Sequence, residues 1–173
     1  MNVRTGAGTG YAIRAEVENT GKQAQGVLLA QGGRYGGFSL FVQNGIVHFE
    51  INSFGNLSGE MVSTKPLPPG HSTIVVEVTP SPAKQVEKGA MPFPGSGTLV
   101  LNGVKVATTD FANIPASGGY WSPAESLDVG SDLGSAVSKH YQTPFRFNGT
   151  IDSIILQLHG RVGDNSARND GHS

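Results

Sequence analysis

The stretch that decides the fold is GVLLAQGGRYGGFSLFVQNGIVHFEIN, residues 26–52. It begins with an apolar run at residues 27–30, which is typical of a strand buried on both faces. A glycine-rich turn follows, and two segments of alternating apolar and polar residues then meet at Asn44-Gly45. Because Asn-Gly supplies the two positive-φ residues of a type I′ turn, the dipeptide predicts a β-hairpin here. The stretch therefore predicts a strand, a turn and a hairpin of one sheet.

Turn-forming residues separate short apolar segments along the whole chain. At 173 residues it has the length of one domain. Its 25 glycines and 10 prolines lie between short apolar segments, as in sandwiches and barrels, where a turn follows each strand. No long segment has the 3.6-residue period of an amphipathic helix. Composition and periodicity therefore predict an all-β domain.

Further strands are predicted at residues 11–17, 60–63, 73–79, 98–101, 104–108, 127–130 and 145–159, the last with a bend near Asn148-Gly149. Residues 73–79, TIVVEVT, are the most β-branched run and predict a central strand. A second Asn-Gly pair, Asn102-Gly103, predicts a second hairpin. Near the end, Ile151 is out of phase with the alternation at residues 154–158, which predicts a bulge near Asp152 or Ser153.

About ten antiparallel strands joined by hairpins and long return loops predict two packed sheets, a jelly-roll β-sandwich. The loops are expected at residues 54–59, 80–97 and 111–126. We expect residues 1–159 to form this single β-sandwich domain. Residues 160–173 are polar and glycine-bearing, and are predicted to be a flexible tail.

Charge and cysteine content exclude several kinds of function. The net charge is −1 and only 14% of residues are charged, so the clustered Lys and Arg of a nucleic-acid or anionic-membrane surface are lacking. Without cysteine there can be no disulfide, thiolate metal site or cysteine nucleophile. The start, MNVRTGAGTG, lacks the apolar region of a signal peptide, so the sequence as given does not identify a compartment, and a cytoplasmic location is favoured over export.

Five segments carry a resemblance to a known family. In order they are GVLLAQGGRYGGFSLFVQNG, LPPGHSTIVVEV, GTLVLNGVKVA, DVGSDLGSAVSKHY and PFRFNGTIDSIILQL. Together they resemble the C-terminal β-sandwich domain of bacterial arylsulfatase-type sulfatases. The resemblance implies a concanavalin-A-like fold, shared with lectins and glucanases, and agrees with the predicted jelly roll.

The catalytic parts of a sulfatase have no counterpart in this chain. That family forms its formylglycine nucleophile from Cys or Ser in a C/S-x-P-x-R motif, and the Ser-Pro pairs at Ser81 and Ser122 lack the arginine. The metal-binding Asp, Asn and His set is missing too. The resemblance therefore implies a non-catalytic accessory module, with no catalytic residue, that packs against a protein partner or self-associates through its sheet edges.

A glycoside hydrolase is the least favoured alternative. Retaining glucanases of this fold carry their acids on one strand as E-x-D-x-x-E, and that motif is absent. Glu50, Glu77 and Asp152 each stand alone on a predicted strand, so a catalytic pair would need acids from separate strands. The fold itself does not imply the activity.

A carbohydrate-binding module is the main alternative, because aromatic residues lie in predicted loops. Flat rings can stack on a sugar or form an apolar partner patch. They can equally cap the ends of the core, and both interpretations stay open. The residues are Tyr35, Phe54, Tyr120, Trp121 and Tyr141.

Metal binding has one candidate pair, Asp128 and Asp132 in LDVGSDLGS. Carboxylates and loop carbonyls suit Ca²⁺, which takes about 6–8 oxygen ligands. The preferred interpretation is that both residues form turns beside Gly130 and Gly134, so no cofactor is expected. The five histidines lack the spacing of a zinc pair.

Overall fold

The computed structural model describes residues 10–21, 23–81, 94–114 and 127–159. The predicted all-β class is confirmed, and none of these residues forms a helix long and apolar enough to cross a membrane. The ten strands are β1 Tyr11–Asn19, β2 Gly26–Gly33, β3 Gly36–Gln43, β4 Ile46–Ser53, β5 Asn56–Pro66, β6 Gly70–Pro80, β7 Gly95–Leu101, β8 Val104–Phe111, β9 Leu127–Val129 and β10 Thr150–Leu158.

The strands form two five-stranded antiparallel sheets, as a jelly-roll sandwich requires. The first sheet has the order β10-β1-β6-β7-β8, and the second has the order β5-β4-β3-β2-β9. Strand β6 contains the β-branched run and lies in the middle of the first sheet, which confirms the predicted central strand. Neighbours in each sheet are not always consecutive in the chain, so the connections cross between the sheets.

The main core lies between the two sheets. Inner-face side chains alternate with outer ones along most strands, as the period of two requires. Burial of each large apolar side chain contributes about 1.5–3 kcal/mol. Fully buried examples are Ile13, Ile74 and Leu99 from the first sheet and Leu40 and Phe49 from the second.

Both Asn-Gly hairpins are confirmed. Asn44 and Gly45 have φ values of 51° and 78°, and Asn102 and Gly103 have 50° and 80°. These are the two consecutive positive φ angles of a type I′ turn, which matches the twist of the flanking strands. Local chemistry alone was sufficient to predict these turns.

Strand β2 is buried on both faces, as its continuous apolar run predicts. Leu28 and Leu29 face the main core. The register shifts between Val27 and Leu29, which lets neighbouring residues share that face. A smaller apolar cluster covers the outer face of the second sheet and contains Val27, Ala30, Phe41, Val137 and Tyr141.

The chain between β9 and β10 forms this outer layer. We call residues 131–147 the cover segment. Its end is tied to β2 by a hydrogen bond from Val27 N to Phe145 O at 2.9 Å, and Phe147 N donates to Gly130 O at 3.0 Å. The cover segment therefore buries part of the outer face of the second sheet.

The predicted bulge in the last strand is confirmed. Glu16 of β1 lies opposite Ser153, and Val17 lies opposite Ile151. Asp152 is the extra residue between them, so the alternation of inner and outer side chains changes phase there.

Two predictions about strand limits are wrong. Residues 54–59 were expected to be a loop, but only Phe54-Gly55 turns, and β5 begins at Asn56 because its backbone continues the pairing with β4. A strand was expected at residues 145–147, before a bend near Asn148-Gly149. The bend is present and β10 begins after it at Thr150, but residues 145–147 form no strand. There the backbone bonds are made by the cover segment, with only an isolated bridge between Val27 and Arg146.

Candidate functional site

Polar side chains line up on the outer face of the second sheet. In β3 and β4 they alternate with the core residues, and the register places Ser39 opposite Glu50. Glu50 in turn lies opposite Glu60 of β5. Three neighbouring strands thus form one polar row across this face, partly beneath the cover segment.

A buried hydrogen-bond network holds the cover segment on this row. The Tyr141 hydroxyl donates to Asp132 Oδ2 at 2.6 Å. Ser39 Oγ lies 2.9 Å from the same hydroxyl and donates to its oxygen. Burial, reinforced by the hydrogen bond to Asp132, raises the pKa of Tyr141 well above its usual value, so the phenol remains a donor.

Tyr141 therefore does not offer an exposed ring to a sugar. Only 8% of it is exposed. Its ring centroid lies 5.1 Å from that of Phe41 and 5.2 Å from that of Phe145. Of the two interpretations left open by the sequence, the structure shows Tyr141 capping an apolar cluster.

The two aspartates proposed for calcium accept hydrogen bonds within their own loop. Asp128 Oδ2 accepts from Leu133 N at 3.0 Å, and Asp132 Oδ2 accepts from Val137 N at 3.3 Å as well as from Tyr141. Such bonds are typical of turn-forming aspartates. Within the described residues, neither belongs to a group of acids and histidines with closely spaced ligand atoms. Calcium binding at Asp128 and Asp132 stays the less favoured, untested alternative.

A second cluster, which we call the acid–histidine cluster, consists of Glu50, Glu60 and His140, with His48 beside them. Ligand atoms of the first three lie within 4.8 Å of one another. His140 Nδ1 is 2.9 Å from Glu50 Oε1, and the His48 and His140 ring centroids are 6.2 Å apart. Glu50 is only 4% exposed, whereas the His140 side chain is 47% exposed. The cluster thus has a buried base and an open side.

Burial shapes the electrostatics of this cluster. It raises the pKa of Glu50 above its ordinary value, while Ser138 and His140 act in the opposite direction. Burial also lowers the pKa of His48, and the nearby His140 lowers it further. The ring of His48 stacks on that of Phe41, with centroids 4.9 Å apart. Each group is therefore held where its charged form is disfavoured.

The cluster could not be found from residue spacing. Glu50 meets Glu60 because the chain reverses at Phe54-Gly55, inside residues that the sequence assigned to a loop. Recognition of that turn would have placed the two acids opposite each other. His140 reaches the cluster on the cover segment, and no local pattern signals this approach.

Exposed aromatic rings occur at one end of the second sheet, which we call the aromatic end. Tyr35 lies in the β2–β3 turn and is 62% exposed, and Phe54 lies in the β4–β5 turn and is 55% exposed. The pairing of Gly36 with Ser53 places these turns side by side. The Arg34 guanidinium lies 4.8 Å from the centroid of the Tyr35 ring, within cation–π range.

Buried Asn52 fixes the two turns relative to each other. Its Nδ2 donates to Arg34 O at 2.9 Å and to Val137 O at 3.1 Å. Its Oδ1 accepts from Gly55 N at 3.0 Å. Phe54 has a φ of 53°, a left-handed conformation that bulky residues rarely adopt and that costs free energy. The fold thus holds an aromatic side chain where glycine or asparagine would be easier to accommodate.

The other predicted aromatic binding residues, Tyr120 and Trp121, lie outside the described residues. Their role stays a prediction. Of the proposed set, the structure places Tyr35 on the surface and Tyr141 in the interior, and it brings Phe54 beside the turn that holds Tyr35.

The three acids considered for a hydrolase do not share a cleft. Glu50 is on the second sheet, whereas Glu77 of β6 and Asp152 of β10 belong to the first. Glu77 pairs beside Ala12, and Asp152 lies beside Val17, roughly 15 Å farther along β1. A catalytic pair made from these three acids is therefore not formed.

Comparisons with known proteins identify structures with a similar fold. No family model matches the sequence, and no curated protein matches it. A heptameric SAP-like pentraxin from Limulus polyphemus is similar in structure over 90% of this chain, with a TM-score of 0.53 and 9% identity. This chain covers 66% of the length of that pentraxin, slightly less than two thirds.

Two structures of the CBM40 domain of an IT-sialidase from Ruminococcus gnavus are also similar. The one bound to α2,3-sialyllactose has a TM-score of 0.51 and 16% identity, over 91% of this chain and 88% of that one. The one bound to α2,6-sialyllactose has a TM-score of 0.52 and 14% identity, over 89% of this chain and 77% of that one. These likenesses carry no support for a sulfatase C-terminal domain in particular. At such low identities they show the fold alone, a concanavalin-A-like jelly-roll sandwich.

Proposed function

We propose that this chain is a non-catalytic carbohydrate-binding module that binds glycans at the aromatic end. The observation that carries the proposal is Phe54, whose exposed ring is held in an unfavourable backbone conformation beside the turn that exposes Tyr35. Backbone strain that persists in a native structure is found preferentially at binding and active sites. We therefore infer that the Phe54 ring has a binding role, which offsets the free-energy cost of its backbone conformation.

The chemistry of the aromatic end suits a sugar. The apolar C–H face of a pyranose packs on a flat ring, and rings held by short turns lose little entropy on binding. Arg34 adds guanidinium donors for hydroxyl or carboxylate groups at the rim. Asn52 supports the preorganisation, because it bonds to both turns.

Similarity of fold supports the same proposal by analogy only. The CBM40 domain, which is bound to sialyllactose in both structures, has the same architecture. Fold alone does not carry function, so the proposal depends on the residues of the aromatic end.

Glycan binding is tested with a glycan array, followed by calorimetry on the best ligand. We expect Tyr35→Ala and Phe54→Asn each to weaken binding about two- to tenfold, because an aromatic contact contributes about 0.5–1.5 kcal/mol beyond the area it buries. Asparagine tolerates a positive φ, so Phe54→Asn should leave the melting temperature equal or higher.

The matched control is Ile155→Ala, which removes an exposed apolar side chain from the first sheet. It should bind as the unmodified chain does. An array without any bound glycan, or full affinity in both aromatic variants, would show that the aromatic end is not a sugar site.

A second candidate is the accessory role that the sulfatase resemblance implies, in which the module assembles through its surface. The exposed edge and side chains of strand β10 support this accessory role. In the described residues β10 pairs only with β1, so its other edge is open, and it exposes Ile155 and Leu158. The occupant we propose is a second copy of this chain, because an open antiparallel edge can pair with itself.

A further inference from the structure

The acid–histidine cluster contains buried polar atoms whose hydrogen-bonding capacity is unused. They are His48 Nδ1, Glu50 Oε1 and Glu60 Oε2, and when both carboxyl groups are ionised none of these atoms has a hydrogen-bond partner among the described residues. His140 Nδ1 lies near Glu50 Oε1, but the contact is not aligned as a hydrogen bond. Three orphan atoms on one small area of a sheet face require an explanation.

The arrangement is unfavourable as it stands. A buried polar atom without a partner costs about 1–3 kcal/mol, and more when it carries charge. Glu50 and Glu60 are also directly opposite each other on adjacent strands, where like charges repel. A positive ion between the two carboxylates would satisfy the orphan oxygens and cancel the repulsion.

We propose that Glu50, Glu60 and His140 bind a divalent transition-metal ion of the zinc type, with His48 adjacent to the site. Imidazole nitrogen together with carboxylate oxygen is a ligand set for Zn²⁺, whereas Ca²⁺ and Mg²⁺ prefer oxygen ligands alone. Ligand atoms of the three residues already lie within 4.8 Å of one another. Zinc ligands in a tetrahedral site about 2.0–2.2 Å from the ion are separated by less than this, so small side-chain rotations suffice.

Burial and access fit such a site. Glu50 is almost fully buried and fixed in the sheet, which gives one preorganised ligand. His140 lies on the cover segment with its side chain half exposed, which gives the ion a path from solvent. Three protein ligands leave a fourth position for water or His48.

The first sheet offers an internal comparison. Glu18, His71 and Asp152 also have ligand atoms within 4.8 Å of one another. There, however, His71 Nε2 is 2.7 Å from Glu16 Oε2, and Nδ1 is 3.4 Å from Asp152 Oδ2. All three side chains are at least partly exposed, and the His71–Glu16 contact is a hydrogen bond, unlike the contact of His140 with Glu50. We therefore assign this second group to surface ion pairing.

The test is calorimetric titration of the full chain with ZnCl₂ after treatment with a chelator. We expect one saturable site per chain. His140→Ala and Glu60→Gln should each lower the affinity at least about tenfold, because the loss of a ligand costs no less than the loss of its outer-shell support. His71→Ala, which removes the histidine of the comparison group, should leave the affinity unchanged.

Titration with CoCl₂ gives a second readout, because bound Co²⁺ absorbs visible light according to its ligands. The absorption should appear in the unmodified chain and disappear in His140→Ala. No saturable Zn²⁺ binding, an equal loss of affinity in His71→Ala, or tighter binding of Ca²⁺ than of Zn²⁺ would overturn the proposal. Glycan binding at the aromatic end does not enter these measurements, so either proposal can fail alone.

Discussion

The Tyr141 hydroxyl links the cover segment to the second sheet through hydrogen bonds. It donates to Asp132, in the same segment, and accepts from Ser39 on β3. All three side chains are buried, so each bond offsets the loss of hydration that burial causes. A single hydroxyl thus connects residues that are 102 positions apart in the sequence.

Removal of this hydroxyl should destabilise the protein. Tyr141→Phe keeps the ring but takes a donor from the buried Asp132 carboxylate and an acceptor from Ser39. We expect the free energy of unfolding to fall by about 1–3 kcal/mol, the cost of under-satisfied buried polar groups. Urea denaturation followed by fluorescence or circular dichroism measures the change.

Tyr11→Phe is the matched control. Tyr11 is equally buried and its ring packs against Phe38 with centroids 5.3 Å apart, but its hydroxyl makes no hydrogen bond among the described residues. Its replacement should change the free energy of unfolding by less than about 1 kcal/mol. Equal losses in the two variants would show that the network contributes nothing specific.

At the scale of the elements, strands β1 and β6 are linked by a charged network on the outer face of the first sheet. Glu16 Oε2 accepts from Thr73 Oγ1 and lies beside His71 Nε2, each at 2.7 Å. Arg14 Nε donates to the other oxygen at 3.0 Å. The hydrogen bond from Thr73, with further help from His71 and Arg14, lowers the pKa of Glu16 despite opposing desolvation.

This shift predicts a pH dependence of stability. Because the pKa of Glu16 is lowered on folding, the ionised group stabilises the protein above its unfolded pKa of about 4.3. The contribution is lost as the pH falls through the lower folded value. Glu16→Gln should therefore melt at a lower temperature than the unmodified chain near neutral pH, and the difference should vanish in strong acid.

Thermal unfolding of both proteins at a series of pH values measures this. Glu77→Gln, which changes another exposed acid of the first sheet, is the control and should show a small difference throughout. A difference between Glu16→Gln and the unmodified chain that grows in acid would contradict the assigned sign.

Strand limits show why elements are only partly predictable. Residues 56–59 look like loop by composition, yet they pair with β4 because a strand edge accepts any backbone that continues its register. Residues 145–147 look extended, yet the backbone of Phe145 and Phe147 makes hydrogen bonds that hold the cover segment to Val27 and Gly130. Composition describes side chains, whereas pairing depends on which backbone groups lie nearby.

At the scale of the whole molecule, the two outer faces differ. The first sheet exposes a charged network, while the second is partly covered and holds the acid–histidine cluster beside the cover segment. The aromatic end lies at the edge where the turns of the second sheet meet that segment. The two ligand sites that we propose, the aromatic end and the acid–histidine cluster, thus both belong to the second sheet.

The edge of β10 that is unpaired among the described residues allows a prediction about assembly. If copies pair through β10, sedimentation velocity should show a sedimentation coefficient that rises with concentration. Ile155→Lys should reduce this rise, because an edge lysine opposes strand pairing. A chain that stays monomeric over a wide range of concentration would remove the assembly role proposed for this strand.

The amino-acid sequence by itself determined the all-β class, both Asn-Gly hairpins, the doubly buried β2, the central β6 and the bulge at Asp152. Each depends on local backbone preference or on the alternation of neighbouring side chains. Only the tertiary structure decided that Tyr141 is interior, that Phe54 lies beside the turn of Tyr35, and that Glu50, Glu60 and His140 meet. These outcomes depend on cross-strand register and on the path of the cover segment, which bring together residues far apart in the chain and leave no periodic signal within it.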